Sequence, residues 1–269
     1  MKRLLNLVPV FALAACAHVP PMPAGGRYVA MGSSYAAGVG LAPMKPDTPA
    51  RCYRSQINYP SNLAHWMGLT LVDVSCSGAT TQHILGPWNE LPAQIDAVTP
   101  DTRLVTVTIG GNDVGFVTTL NLASCSPAAG RVCPQIKLPE PADWARLGQN
   151  LELIVRQIHA RAPGARVVFV DYVTMIPEKG SCPATPFDEV TIAALRAMGH
   201  KLAEVTASSA QNAGAEVFHA GELSKHHTPC DDDPWSVGAP GSAMGVPWHP
   251  NATAHSAIAE ALMQVLARR

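Results

Sequence analysis

The sequence predicts an α/β domain: a three-layer α/β/α sandwich built on a mostly parallel five-stranded sheet. Three observations carry this. Short apolar, β-branched runs alternate along residues 27–269 with longer segments whose apolar residues recur at helical spacing. The run Leu104-Val105-Thr106-Val107-Thr108-Ile109 is continuous, the pattern of a parallel strand covered on both faces. The chain has 269 residues, 47% of them apolar and only 14% charged, enough for one such domain with a full core.

The elements follow in order. Arg27-Tyr28-Val29-Ala30-Met31 reads as the first strand and ends in the small residues Gly32-Ser33-Ser34. A helix over 60–67 leads into a strand over 69–74, and the strand 104–109 runs into Gly110-Gly111. Residues 144–162 carry Leu147, Leu151, Ile154, Val155 and Ile158 at helical spacing, with Pro163-Gly164 as the stop. A strand over 166–171, a long helix over 191–212, a short strand over 215–218 and a helix over 252–267 complete the series. Strand–helix alternation of this kind implies a parallel sheet with helices on both faces. Three irregular stretches interrupt it, 41–59, 116–141 and 222–247, each holding cysteine; long loops at strand ends build sites more often than cores.

The N-terminus reads as a targeting segment. Lys2 and Arg3 precede an apolar stretch over 4–15, too short to span a bilayer, which closes Leu13-Ala14-Ala15-Cys16. That ending resembles a lipobox, in which Cys16 becomes the lipid-modified first residue of the mature chain. The organisation expected is therefore a lipoprotein-type signal peptide over 1–15, a Pro/Gly-rich tether over 16–26 and one domain over 27–269. Export to the cell envelope, with the membrane as a partner through the N-terminal lipid, agrees with cysteine usage. Six cysteines remain beyond Cys16, an even number that implies three disulfides, although spacing alone selects no pairing. A net charge of −1 offers no field for nucleic acid, and the chain is expected to be a monomer.

Chemistry concentrates in four places. Ser34 sits on a tight, glycine-flanked turn at the end of the first strand, where a hydroxyl is pushed out of the sheet toward a substrate. Gly78, after the second strand, can present a bare backbone N–H. Asn112 follows Gly110-Gly111 and offers two uncharged N–H donors to a transient oxyanion; an Asn capping its own turn is the ordinary alternative. His249 lies late, on a loop just before the terminal helix, where an imidazole can take and return a serine proton. Among ten histidines, His255 is the rival, but its helical position suits packing or capping. The cluster His226-His227 with Cys230-Asp231-Asp232-Asp233 reads as solvated loop rather than a metal site, and no metal or other cofactor is expected. Trp88, Trp235 and Trp248 could line an acyl or sugar groove, or simply pack.

Taken together, Gly32-Ser33-Ser34, Gly78, Gly110-Gly111-Asn112-Asp113 and His249 resemble, in order and spacing, the blocks of the SGNH (GDSL-type) serine hydrolases, over nearly all of the expected mature chain. The resemblance implies a flavodoxin-like sheet. It makes Ser34 the nucleophile and His249 the base, with an oxyanion hole formed by the Ser34 N–H, the Gly78 N–H and the Asn112 carboxamide. Its actinobacterial secreted esterases and lipases, with three sequential disulfides, imply the pairs Cys52–Cys76, Cys125–Cys133 and Cys182–Cys230. Two positions depart from the family: Ser33 replaces an aspartate, and Val246 stands where an aspartate often orients the histidine. The expectation is that the Val246 backbone carbonyl accepts from His249 Nδ1–H, with Asp231, Asp232 or Asp233 folding back as the alternative.

The function so implied is an exported, lipid-anchored serine ester hydrolase (esterase or lipase) acting through an acyl-enzyme. Lipid esters, acetylated glycans and thioesters all remain open as substrates. A second class, a non-catalytic envelope lipoprotein that binds glycan or lipid in a degenerate cleft, draws on the same two departures.

Overall fold

The structure is a computed structural model that describes residues 23–125, 132–241, 243 and 245–267. The expected signal peptide, Cys16 and the tether up to residue 22 lie outside these residues. The tether's end does not swing free: Gly25 N–H donates to the Gly68 carbonyl at 2.7 Å.

The sheet has five parallel strands in the order β2-β1-β3-β4-β5: β1 (Arg27–Gly32), β2 (Thr70–Asp73), β3 (Thr102–Thr108), β4 (Arg166–Val170) and β5 (Glu216–Phe218). From β1 the chain steps one way to β2, then crosses back to β3 and continues the other way. Right-handed crossovers in opposite directions place their helices on opposite faces. Accordingly α2 (Tyr59–Met67) packs on α8 (Ala252–Ala267), and α5 (Pro141–Arg161) packs on α6 (Glu189–Asn212). β3, buried between the two layers, is almost wholly inaccessible, as its unbroken apolar run requires.

Helix ends follow local chemistry. Asn58 caps α2 by accepting from Ser61 N–H at 3.0 Å, and Asp188 caps α6 by accepting from Thr191 N–H at 2.8 Å. The expected irregular stretch 116–141 is partly regular: α4 (Phe116–Ala123) occupies its start. Four-to-five-residue helices, α1 (Ser34–Ala37), α3 (Thr81–Leu85) and α7 (Ala220–Leu223), were too short to leave a periodic signature.

The direction in which the crossovers step across the sheet reverses between β1 and β3. In open α/β sheets the crevice outside the strand C-termini at such a switch point is where ligands bind. Ser34 follows β1 and Asn112 follows β3, so the topology delivers both to that crevice.

Candidate active site

Ser34 begins α1, one residue beyond the buried Ser33. The preceding Gly32 has φ +144, and a Cβ there would run into the Thr108 carbonyl oxygen and the Ala36 methyl, so only glycine lets β1 turn this sharply against β3. Ser33 N–H continues the sheet pairing to the Thr108 carbonyl at 2.9 Å, and the Ser33 side chain is buried. The two adjacent serines are thereby separated: Ser33 is absorbed in packing, while Ser34 Oγ lies 2.9 Å from His249 Nε2.

His249 is 215 positions from Ser34 along the chain, and its loop is anchored at three points. Trp248, fully buried, adopts φ +59 and stacks on Phe187 at 5.5 Å. A short antiparallel pairing joins Trp248 N–H to the Val237 carbonyl and Val237 N–H to the His249 carbonyl, each at 2.9 Å. Tyr35 donates its hydroxyl to the Trp248 carbonyl at 2.6 Å and lays its ring 5.1 Å from the imidazole.

Here the expectation for Val246 is corrected. His249 Nδ1 donates to the carbonyl of Pro247 at 2.8 Å, not to that of Val246. The left-handed turn at Trp248 reverses the chain immediately before the histidine and brings back the carbonyl two residues upstream. Val246 instead packs its side chain against Gly40. Since a carbonyl can only accept, Nδ1 carries the proton and Nε2 presents its lone pair to the Ser34 hydroxyl, which donates. Burial pushes the imidazole pKa down to about 4, partly offset by the Pro247 bond, so the ring is neutral at pH 7.

The loop after β2 and the loop after β3 are tied together. Asn112 Nδ2 donates to the Ala79 carbonyl at 2.8 Å, and the Asp113 carboxylate accepts from Thr81 N–H at 3.0 and 3.1 Å and from the Thr81 hydroxyl. Burial raises the Asp113 pKa, and the Thr81 bonds oppose that rise. These bonds hold the Asn112 carboxamide beside the Gly78 turn, with its second N–H left over. Among the described residues neither the Ser34 N–H nor the Gly78 N–H has an acceptor. The Ser34 N–H, the Gly78 N–H and one Asn112 side-chain N–H are the donors left without an acceptor among the described residues of these three loops.

Sequence reasoning missed two residues of this assembly. Gln94, on the 3-10 turn Gln94–Ala97, accepts Gly32 N–H at 2.7 Å and donates to the Gly32 carbonyl at 3.0 Å. β2 ends before it reaches Gly32; the Gln94 carboxamide takes the Gly32 N–H and shares the Gly32 carbonyl with Cys76 N–H, which donates at 2.9 Å. Tyr172, just after β4, accepts Gly111 N–H at 2.8 Å and packs on Tyr35 at 4.6 Å. A lone Gln or Tyr carries no pattern that would single it out.

Other candidates fall elsewhere. His255 Nδ1 accepts from Tyr59 N–H at 3.0 Å and caps α2. Asp231 accepts from Thr228, and Asp233 lies beside His227, which stacks on Trp235; His249 donates its Nδ1–H to the Pro247 carbonyl instead. Trp88 stacks on His83 at 4.1 Å under the Arg51 guanidinium, and its ring is 3.3 Å from a Cβ built on Gly78. Disulfides join Cys52 to Cys76, Cys125 to Cys133 and Cys182 to Cys230. The first fastens the base of the Gly78 loop, where Ser77 N–H also donates to the Cys52 carbonyl.

Comparison with known proteins agrees with this architecture. The family model described as GDSL-like Lipase/Acylhydrolase matches residues 30–257. Lipase 2 of Streptomyces coelicolor is 32% identical, with 94% of this chain and 90% of that protein covered. A lipase of Streptomyces rimosus is 33% identical over 94% of this chain and 91% of its own length. Among solved structures, phospholipase A1 from Streptomyces albidoflavus superposes with a TM-score of 0.74 at 26% identity, covering 91% of this chain and all of that one. A five-stranded parallel sheet carrying a serine–histidine pair, matched over most of its length by lipases, leaves one assignment: the chain belongs to the GDSL-like lipase/acylhydrolase family and is a carboxylic ester hydrolase.

Proposed function

We propose that the chain is an exported, lipid-anchored serine hydrolase of acyl lipid esters, with Ser34 as nucleophile and His249 as base. The observation that carries this reading is the 2.9 Å approach of Ser34 Oγ to a neutral, Nδ1-anchored imidazole. Ser34 Oγ attacks the ester carbonyl and its proton passes to His249 Nε2. The developing oxyanion is received by the Ser34 N–H, the Gly78 N–H and the Asn112 carboxamide. The C–O bond then breaks, His249 returns the proton to the departing alcohol, and Ser34 is left acylated. Water repeats the sequence, with His249 taking its proton, to release the acid and restore the serine.

The lipid-ester substrate is favoured by the two lipases and the phospholipase A1 to which the chain is similar. Export is supported by six cysteines paired in three disulfides, which suit an oxidising compartment. The anchor rests on Leu13-Ala14-Ala15-Cys16. A degenerate, non-catalytic cleft is the weaker reading, because the carboxylate absent at position 246 has a working substitute in the Pro247 carbonyl.

A fluorophosphonate probe tests the chemistry. Labelling at Ser34 and abolition of p-nitrophenyl ester turnover in Ser34→Ala, with an unchanged thermal unfolding curve, are expected. Retained turnover in that variant removes Ser34 from the mechanism. A series of acyl chain lengths then tests the lipid preference, and a flat or acetate-only profile argues against it.

A further inference from the structure

Gly78 is exposed, yet its turn is closely held. Its φ of +84 lets the loop after β2 reverse, and a neighbouring ring fills the space where a side chain would stand. The outer corner of the Trp88 indole, Cη2, is 3.3 Å from a Cβ built on Gly78. The indole therefore closes the side-chain face of the glycine and blocks the turn from tilting that way. The next residue is held as well, since the Ala79 carbonyl accepts from Asn112 Nδ2 at 2.8 Å.

Trp88 is only half-buried, but it is fixed in ring and backbone. The His83 imidazole stacks on it, centroids 4.1 Å apart and planes within 11°, and the Arg51 guanidinium lies 4.1 Å from the ring centre. Arg51 Nη2 also donates to the Trp88 carbonyl at 2.9 Å, and Arg51 Nε donates to Glu90 at 2.8 Å. Burial, then the Arg51 charge, lower the His83 pKa, so two cations do not share the indole at pH 7. His83 Nδ1 accepts Thr80 N–H at 3.0 Å, which ties the stack to the second residue past Gly78. Cys52, next to Arg51, is disulfide-bonded to Cys76, the second residue before Gly78. Residues 51 and 52 thus grip the Gly78 loop twice, through sulfur ahead of the glycine and through the indole behind it.

We propose that Trp88 is a positioning residue for ester hydrolysis: clamped by His83 and Arg51, its ring fixes the Gly78 turn so that the Gly78 N–H meets the developing oxyanion. This role rests on the proposed part of the Gly78 N–H in the oxyanion hole. Fixed donors accelerate a reaction because nothing has to reorient as charge develops, and a donor free to swing loses that advantage. Trp88 itself makes no contact with substrate in this role. An aromatic wall of an acyl groove would leave a different signature, a loss that falls on KM and grows with acyl length.

Two variants of the full chain test this. Trp88→Phe keeps an aromatic face for His83 and Arg51 but is too short to reach Gly78 as the indole corner does. Trp88→Ala removes both the stack and the contact. Turnover of p-nitrophenyl acetate and p-nitrophenyl octanoate is measured, with kcat expressed per site labelled by a fluorophosphonate so that misfolded chains are not counted. Against the roughly 10²–10³ of a lost donor, kcat is expected to fall about tenfold in Trp88→Phe and further in Trp88→Ala. The factor is the same for both esters, and KM stays within about twofold, the pattern of an interaction made only in the transition state. Inhibition by phenylboronate, whose tetrahedral adduct on Ser34 places an oxygen in the same hole, weakens by the same factor as kcat/KM. A full kcat in Trp88→Phe overturns the proposal, and so does a loss carried by KM or one that grows from acetate to octanoate. Trp88→Phe decides the matter even if Trp88→Ala fails to fold. Gly78→Ala separates two kinds of failure, because its Cβ presses on Trp88 and strains the turn. A full kcat in Gly78→Ala defeats the reading of Gly78 as a donor, whereas a loss there beside an unaffected Trp88→Phe defeats only the role of Trp88.

Discussion

His249 Nδ1 and the carbonyl oxygen of Pro247 lie 2.8 Å apart, so the imidazole is oriented by its own backbone rather than by a side-chain carboxylate. A neutral acceptor fixes the tautomer but lends little stabilisation to an imidazolium. The ring is also buried, and its pKa falls to about 4.

The pH profile follows. The base works when neutral, so kcat/KM for a short ester is expected to stay level from about pH 8 to about pH 5 and to drop roughly tenfold per unit below about pH 4. A midpoint near the ordinary histidine value would contradict the burial argument. Stability has its own dependence. His249 and His255, the latter pushed down to about 3 by burial and then by His249, both titrate below the free value of 6.5. Below 6.5 the unfolded chain binds protons that the folded chain refuses, so their stabilisation is fully present above 6.5 and declines toward pH 4. The slope is up to about 1.4 kcal/mol per unit for each group, measurable as a falling thermal midpoint.

The three aspartates of the 231–233 loop are expected to be dispensable for chemistry. Asp231→Asn, Asp232→Asn and Asp233→Asn should each hold kcat within about threefold, because backbone already fills the Nδ1 position. Asp231→Asn alone is expected to cost stability, about 0.5–1.5 kcal/mol, through its bonds to Thr228. A loss of several decades in kcat for any of them would replace Pro247 with that carboxylate as the orienting group.

Gln94 is expected to matter without touching substrate. Gln94→Ala leaves the buried Gly32 N–H without a partner and the Gly32 carbonyl with only the Cys76 N–H, at a cost of about 1–3 kcal/mol in stability. Because that peptide sets the direction of the Ser34 turn, fluorophosphonate labelling is expected to slow while KM changes little. Gln94→Glu keeps the acceptor but loses the donor and buries a charge, so it should rescue neither property. Equal labelling rates in wild type and Gln94→Ala would reduce Gln94 to a packing residue.

Asn112→Ala removes a side-chain donor and is expected to lower kcat by roughly 10²–10³. It also frees the Ala79 carbonyl, which loosens the Gly78 turn. A thermal midpoint close to wild type, together with the kcat loss and a steady KM, separates the electrostatic role from a structural one. A change confined to KM would move Asn112 out of the oxyanion hole.

Much of this protein was legible in its sequence because the relevant physics is local. The β-branched run before Gly110-Gly111 could only be a buried strand, and the apolar spacing from Leu147 to Ile158 could only be one face of a helix. Glycine-flanked turns after strands announced where a hydroxyl and a carboxamide could emerge from the sheet. Val246 shows the limit of that reasoning. Counting back from His249 names a neighbour, but which carbonyl meets Nδ1 depends on the left-handed turn at Trp248, and that turn is held by burial against Phe187 and by Tyr35 from the far end of the chain.

The sequence by itself determined the alternation of strands and helices, the even complement of cysteines beyond Cys16, and the types of side chain able to act on an ester, since each is written in neighbouring residues. Only the tertiary structure decided that Gln94 grips Gly32, that Tyr172 supports Gly111, and that Pro247 holds His249. Those relationships join positions separated by dozens of residues or hinge on a single backbone torsion, and the packing of the whole core selects them.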